Sequence, residues 1–224
     1  MSKIDEFEQK IMTHGMTAED FVEYEKLLKR VRDNFLKRQH CYTTAIQFPP
    51  EYAEQAVRLI QYGLDHFEDS WFSTYMSYLY IGHIYERINE YQKAFDSYVS
   101  AQVALGSDHP EYVADLAKDL MWMKLHIDSF QYSKELEDYY LCYEKADEIS
   151  KAFVNNEFRL AVVNIVIFRY HEKNDEAKQA IETATRICQP DYIGKIHDVL
   201  ARHRYHESLK TTPEAIDFLR HITI

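Results

Sequence analysis

The stretch from Met76 to Gly106, MSYLYIGHIYERINEYQKAFDSYVSAQVALG, most constrains what this chain can fold into. Tyr78, Ile81, Gly82 and Tyr85 fall at i, i+3, i+4 and i+7, so they share one helical face. After a break at Ile88-Asn89-Glu90, helical spacing resumes with Tyr91, Ala94, Tyr98 and Ala101. Gly and Ala stand where two helices must approach closely, and aromatic rings stand where a gap must be filled. A glycine inside a helix costs about 1 kcal/mol against alanine, so Gly82 calls for a packing reason: the near contact of a partner helix. The spacing predicts two antiparallel helices, Trp71 to Arg87 and Tyr91 to Leu105.

In its order (aromatic, aliphatic-Gly, Tyr, then Tyr, Ala, aromatic, Ala) this hairpin resembles a tetratricopeptide repeat. Tyr78 takes the place of the family's Trp. Ile81-Gly82, Tyr85, Tyr91, Ala94, Tyr98 and Ala101 match its other signature places, and Gly106 stands where the family has Pro. The resemblance covers roughly residues 75 to 222. It implies an all-α fold: a right-handed superhelical stack of antiparallel helix hairpins, with about 10–11 helices. Residues 1–70 would be N-terminal helices packing on the array. Residues 71–224 would form about four hairpins, the middle and last irregular.

The remaining segments follow from the same spacing rules. Ile4 to Met12 reads as a short helix ended by His14-Gly15. Thr17 with Asp20 three residues on reads as an N-cap of capping-box type. From there one helix is expected to run to about His40, packing through Phe21, Tyr24, Leu28, Val31 and Phe35. Its other face would carry Lys26, Lys29, Arg30, Arg32, Lys37 and Arg38, either a solvated face or a dock for an acidic partner. No recognition helix follows, so a helix-turn-helix is rejected. Cys41 to Pro49 reads as a connector. Glu51 to His66 reads as a helix packing through Ala53, Ala56, Leu59, Ile60 and Gly63. A helix entered by Pro110 packs through Val113, Leu116, Ala117 and Leu120. Its partner, about Ser133 to Phe153, carries Tyr139, Tyr143 and Ala146 in imperfect register. Asn155 to Glu172 and Asn174 to Ile187 form another hairpin through Ala161, Ile165, Phe168, Ala177, Ile181 and Ala184. The last pair, Asp191 to His206 and Pro213 to His221, matches loosely, as terminal units of an array do.

Composition narrows the function classes. The formal net charge of −11 disfavours nucleic-acid and anionic-membrane roles, because phosphates attract clustered Lys and Arg. The three cysteines, Cys41, Cys142 and Cys188, are too widely spaced for a disulfide framework or a metal pair and are expected to be packing residues. With no ~20-residue apolar run and a polar N-terminus, a reducing cytoplasm is expected.

No phosphate loop, dinucleotide fingerprint, nucleophile elbow or kinase motif occurs. His197, His203, His206 and Glu207 lack the i, i+4 histidine pair of a zinc protease and read as charges near a helix C-terminus. Glu135, Glu137 and Asp138, beside Tyr139 and Tyr140, lack any sign of the cleft that acid–base work needs. Trp71, Trp122, Tyr139, Tyr140 and Tyr192 fit a core face less well than the other aromatics and are candidates for a ligand groove. The expectation is therefore a non-catalytic protein with no catalytic residue, cofactor or metal.

The resemblance implies a concave groove, lined by the first helix of each hairpin, that holds a protein or peptide. On those helices, opposite the packing side, lie Met76, Leu79, His83 and Glu86, then Lys118 and Met121, then Arg159, Val162, Val166 and Arg169, then His197 and Arg204. Lys118, Arg159, Arg169 and Arg204 make this line basic in an acidic protein. Arg holds carboxylates through paired hydrogen bonds, so an acidic or carboxylate-bearing peptide is the expected partner. Two alternatives are a bacterial peptide-sensing regulator built on such repeats, and an enzyme or inhibitor using them as scaffold. A homodimer through the Tyr-rich helices is a further alternative.

Overall fold

The computed structural model describes residues 2–146 and 157–187. Every regular element among them is helical: ten α-helices, two short 3-10 turns and no strand. The chain divides into two compact units, Met1–Asp108 and His109–Ile224, so the expected boundary near residue 70 falls inside the first unit.

The first unit holds α1 (Lys3–Ile11), α2 (Ala18–Leu28), α3 (Asn34–Ala45), α4 (Ala53–His66), α5 (Trp71–Arg87) and α6 (Tyr91–Leu105). Capping boxes start α1, through Ser2 and Asp5, and α2, through Thr17 and Asp20 as the sequence predicts. The long helix expected from Ala18 to His40 is instead two helices. Asp33 caps α3, its carboxylate accepting from the Leu36 N–H at 3.1 Å, and the chain turns through residues 29–33. The consequence is a hairpin, α3–α4, in place of the expected connector: Cys41, Tyr42, Thr44 and Ala45 are buried helical residues. The break also dissolves the supposed basic face. Arg38 is buried, and its Nη1 donates to Ser73 Oγ and Thr74 Oγ1 at 3.1 and 2.7 Å. Helix α4 buries the five residues expected of it: Ala53, Ala56, Leu59, Ile60 and Gly63.

Helices α5 and α6 have the predicted limits. Ala94, Tyr98 and Ala101 are fully buried, and a Cβ added to Gly82 would lie 2.3 Å from Tyr98 Cε1. The glycine is there because the Tyr98 ring occupies the space a side chain would need. First helices also pack on one another: α3 lies against α5.

The second unit holds α7 (Val113–Ile127), α8 (Lys134–Lys145), α9 (Glu157–Tyr170) and α10 (Asn174–Ile187). It repeats the arrangement as hairpins α7–α8 and α9–α10, with α7 against α9. Its core includes Leu116, Leu120, Trp122, Leu136, Phe158, Ile165 and Ala177. Helix α8 ends at Lys145, and the expected continuation to Phe153 lies outside the described residues, as does the pair expected between Asp191 and His221.

The turns of hairpins α5–α6, α7–α8 and α9–α10 are built alike. Asn89, Ser129 and Glu172 take left-handed backbone (φ 61°, 52° and 57°). The next residue's N–H then reaches back five places: Glu90 to Tyr85, Phe130 to Leu125, Lys173 to Phe168, at 3.0, 2.7 and 2.8 Å. This six-to-one bond closes a helix and reverses the chain, a position usually given to glycine. No glycine marks any of these turns, which is why the sequence shows them only as breaks in periodicity.

Candidate functional site

The expected groove line does not face solvent as a whole. Leu79, Lys118, Met121, Arg159, Val162 and Val166 are each at most 6% exposed, while Met76, His83, Glu86 and Arg169 are half-buried. His197 and Arg204 lie outside the described residues. Met76 packs into the core of the first unit, Glu86 accepts the Tyr98 hydroxyl at 2.9 Å, and His83 meets the edges of Tyr80 and Tyr98.

The two buried cations of that line are used internally. Arg159 Nη1 on α9 pairs with Asp119 on α7 at 3.0 Å, and its guanidinium lies 5.3 Å from the centre of the Trp122 ring. Lys118 forms an ion pair with Asp115 and stands 3.7 Å from Asp119. Buried charges must be paired, because an isolated one loses several kcal/mol of hydration. Here both cations are buried against carboxylates, so neither presents its charge to a peptide from solution. Trp122, nominated for a groove, is instead a core residue ringed by His126, Phe130 and Phe158. Burial, and next the Arg159 charge, lower the His126 pKa to about 4.

A partly exposed aromatic surface sits where the start of α8 meets the end of α9. Tyr132 and Tyr170 stack face to face, ring centres 3.4 Å apart, and Tyr170 is 57% exposed. Tyr140 and Phe168 meet edge to face beside them, and Lys173 Nζ lies over Phe168. Leu141 on α8 is also exposed. Glu137 ties this end together, accepting from Tyr132 Oη at 2.6 Å and Lys134 at 3.1 Å and facing His171 Nε2 at 2.7 Å. The Tyr132 hydrogen bond, then Lys134 and His171, hold the Glu137 carboxyl at about 2. A carboxylate so fully engaged is poorly suited to general acid–base work. Sequence spacing does not join Tyr132 to Tyr170, because the contact crosses from one hairpin to the next.

A third cluster lies in the first unit. Glu8 of α1 is buried, 8% exposed, and accepts the Tyr24 hydroxyl of α2 at 2.6 Å. His40 Nδ1 of α3 stands 2.9 Å from the same Glu8 oxygen. Asp5, one turn before Glu8, brings a second carboxylate, so that one donor atom each from Asp5, Glu8 and His40 lie within 4.8 Å of one another. The Glu8 hydrogen bond raises the His40 pKa. Burial pushes the Cys41 thiol well up, which keeps it inert, whereas Cys142 is exposed rather than packed as expected. Cys188 lies outside the described residues.

No helix among the described residues is long and apolar enough to cross a membrane. Comparison of the chain with models of known families, with curated proteins and with solved structures finds no match in any of the three. The likeness to tetratricopeptide repeats therefore rests on sequence pattern alone, most fully on the residues of the α5–α6 hairpin.

Proposed function

We propose that this chain is a non-catalytic module that binds a protein or peptide partner, with its hairpins stacked in the superhelical manner of tetratricopeptide-like arrays. The observation that carries this reading is the stacking of exposed Tyr170 on half-buried Tyr132. Folding gains little from leaving Tyr170 more than half in water, whereas tyrosine is enriched among the residues that dominate binding energy. Lys173 follows α9 three residues after Tyr170, with its Nζ 5.8 Å from the centre of the Phe168 ring. The partner is accordingly a segment that lays an aromatic or aliphatic side chain on the tyrosines and turns an acidic group toward Lys173. This moves the expected carboxylate recognition from Lys118 and Arg159, which are internally paired, to the end of α9.

Selection of random peptides on the full chain, followed by fluorescence polarisation with the enriched peptides, tests the proposal. Enriched peptides carrying an acidic residue next to an aromatic one, bound at least tenfold more weakly by Tyr170→Ala, are the expected result. Failure of any peptide to enrich over the uncoated control would overturn it, as would unchanged affinity in Tyr170→Ala. Light scattering of both proteins distinguishes this from self-association, which would appear as a concentration-dependent mass lost in the variant.

A further inference from the structure

We infer that Asp5, Glu8 and His40 form a binding site for one divalent transition-metal ion, a site independent of the partner-binding surface. Three features of the cluster point this way. The donors are one imidazole nitrogen and two carboxylates, a mixed nitrogen–oxygen set that suits zinc and its neighbours. They come from two separate helices, α1 and α3, and three of their ligating atoms already lie within 4.8 Å of one another. A tetrahedral ion with bonds near 2.0–2.1 Å sets its ligand atoms about 3.3 Å apart. The pair of His40 Nδ1 and Glu8 Oε1, at 2.9 Å, opens slightly to admit it, and Asp5, one of whose oxygens accepts the Ser2 N–H at 2.8 Å, has a second carboxylate oxygen to offer.

The surroundings are those of a held ligand set. Tyr24 Oη donates to Glu8 and fixes the orientation of its carboxylate, and Thr44 Oγ1 stands 3.3 Å from that hydroxyl in turn. Glu8 is an acidic side chain buried against α2 and α3, where an ion would offset its desolvation more fully than a single hydrogen-bonded imidazole does. The ion takes the place of the proton between Glu8 and His40, so binding releases at most the proton that His40 carries. Three protein ligands leave a fourth position for water. The sequence does not announce this site, because His40 lies 32 residues from Glu8 and neither belongs to a spaced motif.

The test is titration of the chelator-stripped full chain with cobalt(II) and with zinc, read by calorimetry and by the visible ligand-field absorption of cobalt. One equivalent bound per chain is expected, with affinity reduced at least tenfold in Glu8→Gln and in His40→Gln and unchanged in His109→Gln. Glu8→Gln keeps an acceptor for Tyr24 and so preserves the fold. Paramagnetic shifts in the unmutated protein give a second readout that no folding defect can mimic: cobalt must shift the His40 ring resonances. Absence of stoichiometric cobalt binding overturns the assignment. So does binding that both variants retain, or shifts confined to other histidines.

Discussion

Replacing Gly82 by alanine tests the packing rule on which the hairpins rest. The new Cβ would stand 2.3, 2.6 and 2.8 Å from Cε1, Cδ1 and Cζ of Tyr98, a fully buried ring. Real contacts are not that short, so the ring or one helix must move. Overpacking of this kind costs about 1–3 kcal/mol, and three ring atoms in the way place it at the upper end. Alanine returns about 1 kcal/mol of helix propensity, leaving a net loss of about 1–2 kcal/mol. In a Tyr98→Leu background the ring is gone, and the same change should stabilise by up to ~1 kcal/mol. The sign reversal, a coupling of about 2–3 kcal/mol, is the diagnostic quantity. It is read from urea unfolding followed by far-UV circular dichroism on the four proteins of the cycle. Stabilisation by Gly82→Ala with Tyr98 intact would refute the reasoning.

Other expectations follow from the second unit. Asp119→Ala removes one partner of a buried ion pair, the carboxylate that Arg159 Nη1 meets at 3.0 Å, and should cost about 3–5 kcal/mol of unfolding free energy, whereas Asp119→Leu with Arg159→Met recovers most of it. For His126 the folded pKa of about 4 lies below the ordinary 6.5, so the unfolded chain takes up a proton first as the pH falls. Its contribution is full above about pH 6.5 and is lost as the pH falls toward 4, by about 3 kcal/mol at most. Denaturation midpoints measured between those values should show this slope, and His126→Gln should flatten it. Glu172→Gly relieves left-handed backbone at a turn and should raise stability by about 1 kcal/mol in the same unfolding assay.

What the sequence discloses here is local. The α5–α6 hairpin is legible to the residue, because Gly82, Ala94, Tyr98 and Ala101 carry a strong small-against-large pattern. The Thr17–Asp20 box is legible because capping chemistry depends on four consecutive residues. The break between α2 and α3 is hidden because its only mark is Asp33, with no glycine or proline beside it. The groove line fails to open for a different reason. Helical spacing says which residues share a face, but not whether another hairpin covers it, and α7 against α9 covers Lys118 and Arg159 with their own counter-charges. The Tyr132–Tyr170 stack and the Glu8 cluster need the tertiary contacts themselves, since each joins residues about 30–40 positions apart.

The most direct test of the central claim, that the chain binds a partner where the start of α8 meets the end of α9, is amide chemical-shift mapping of a selected acidic–aromatic peptide on the full-length protein. The account predicts shifts concentrated at Tyr132, Leu141, Tyr170, His171 and Lys173. A saturable interaction whose shifts leave those residues unmoved would contradict it.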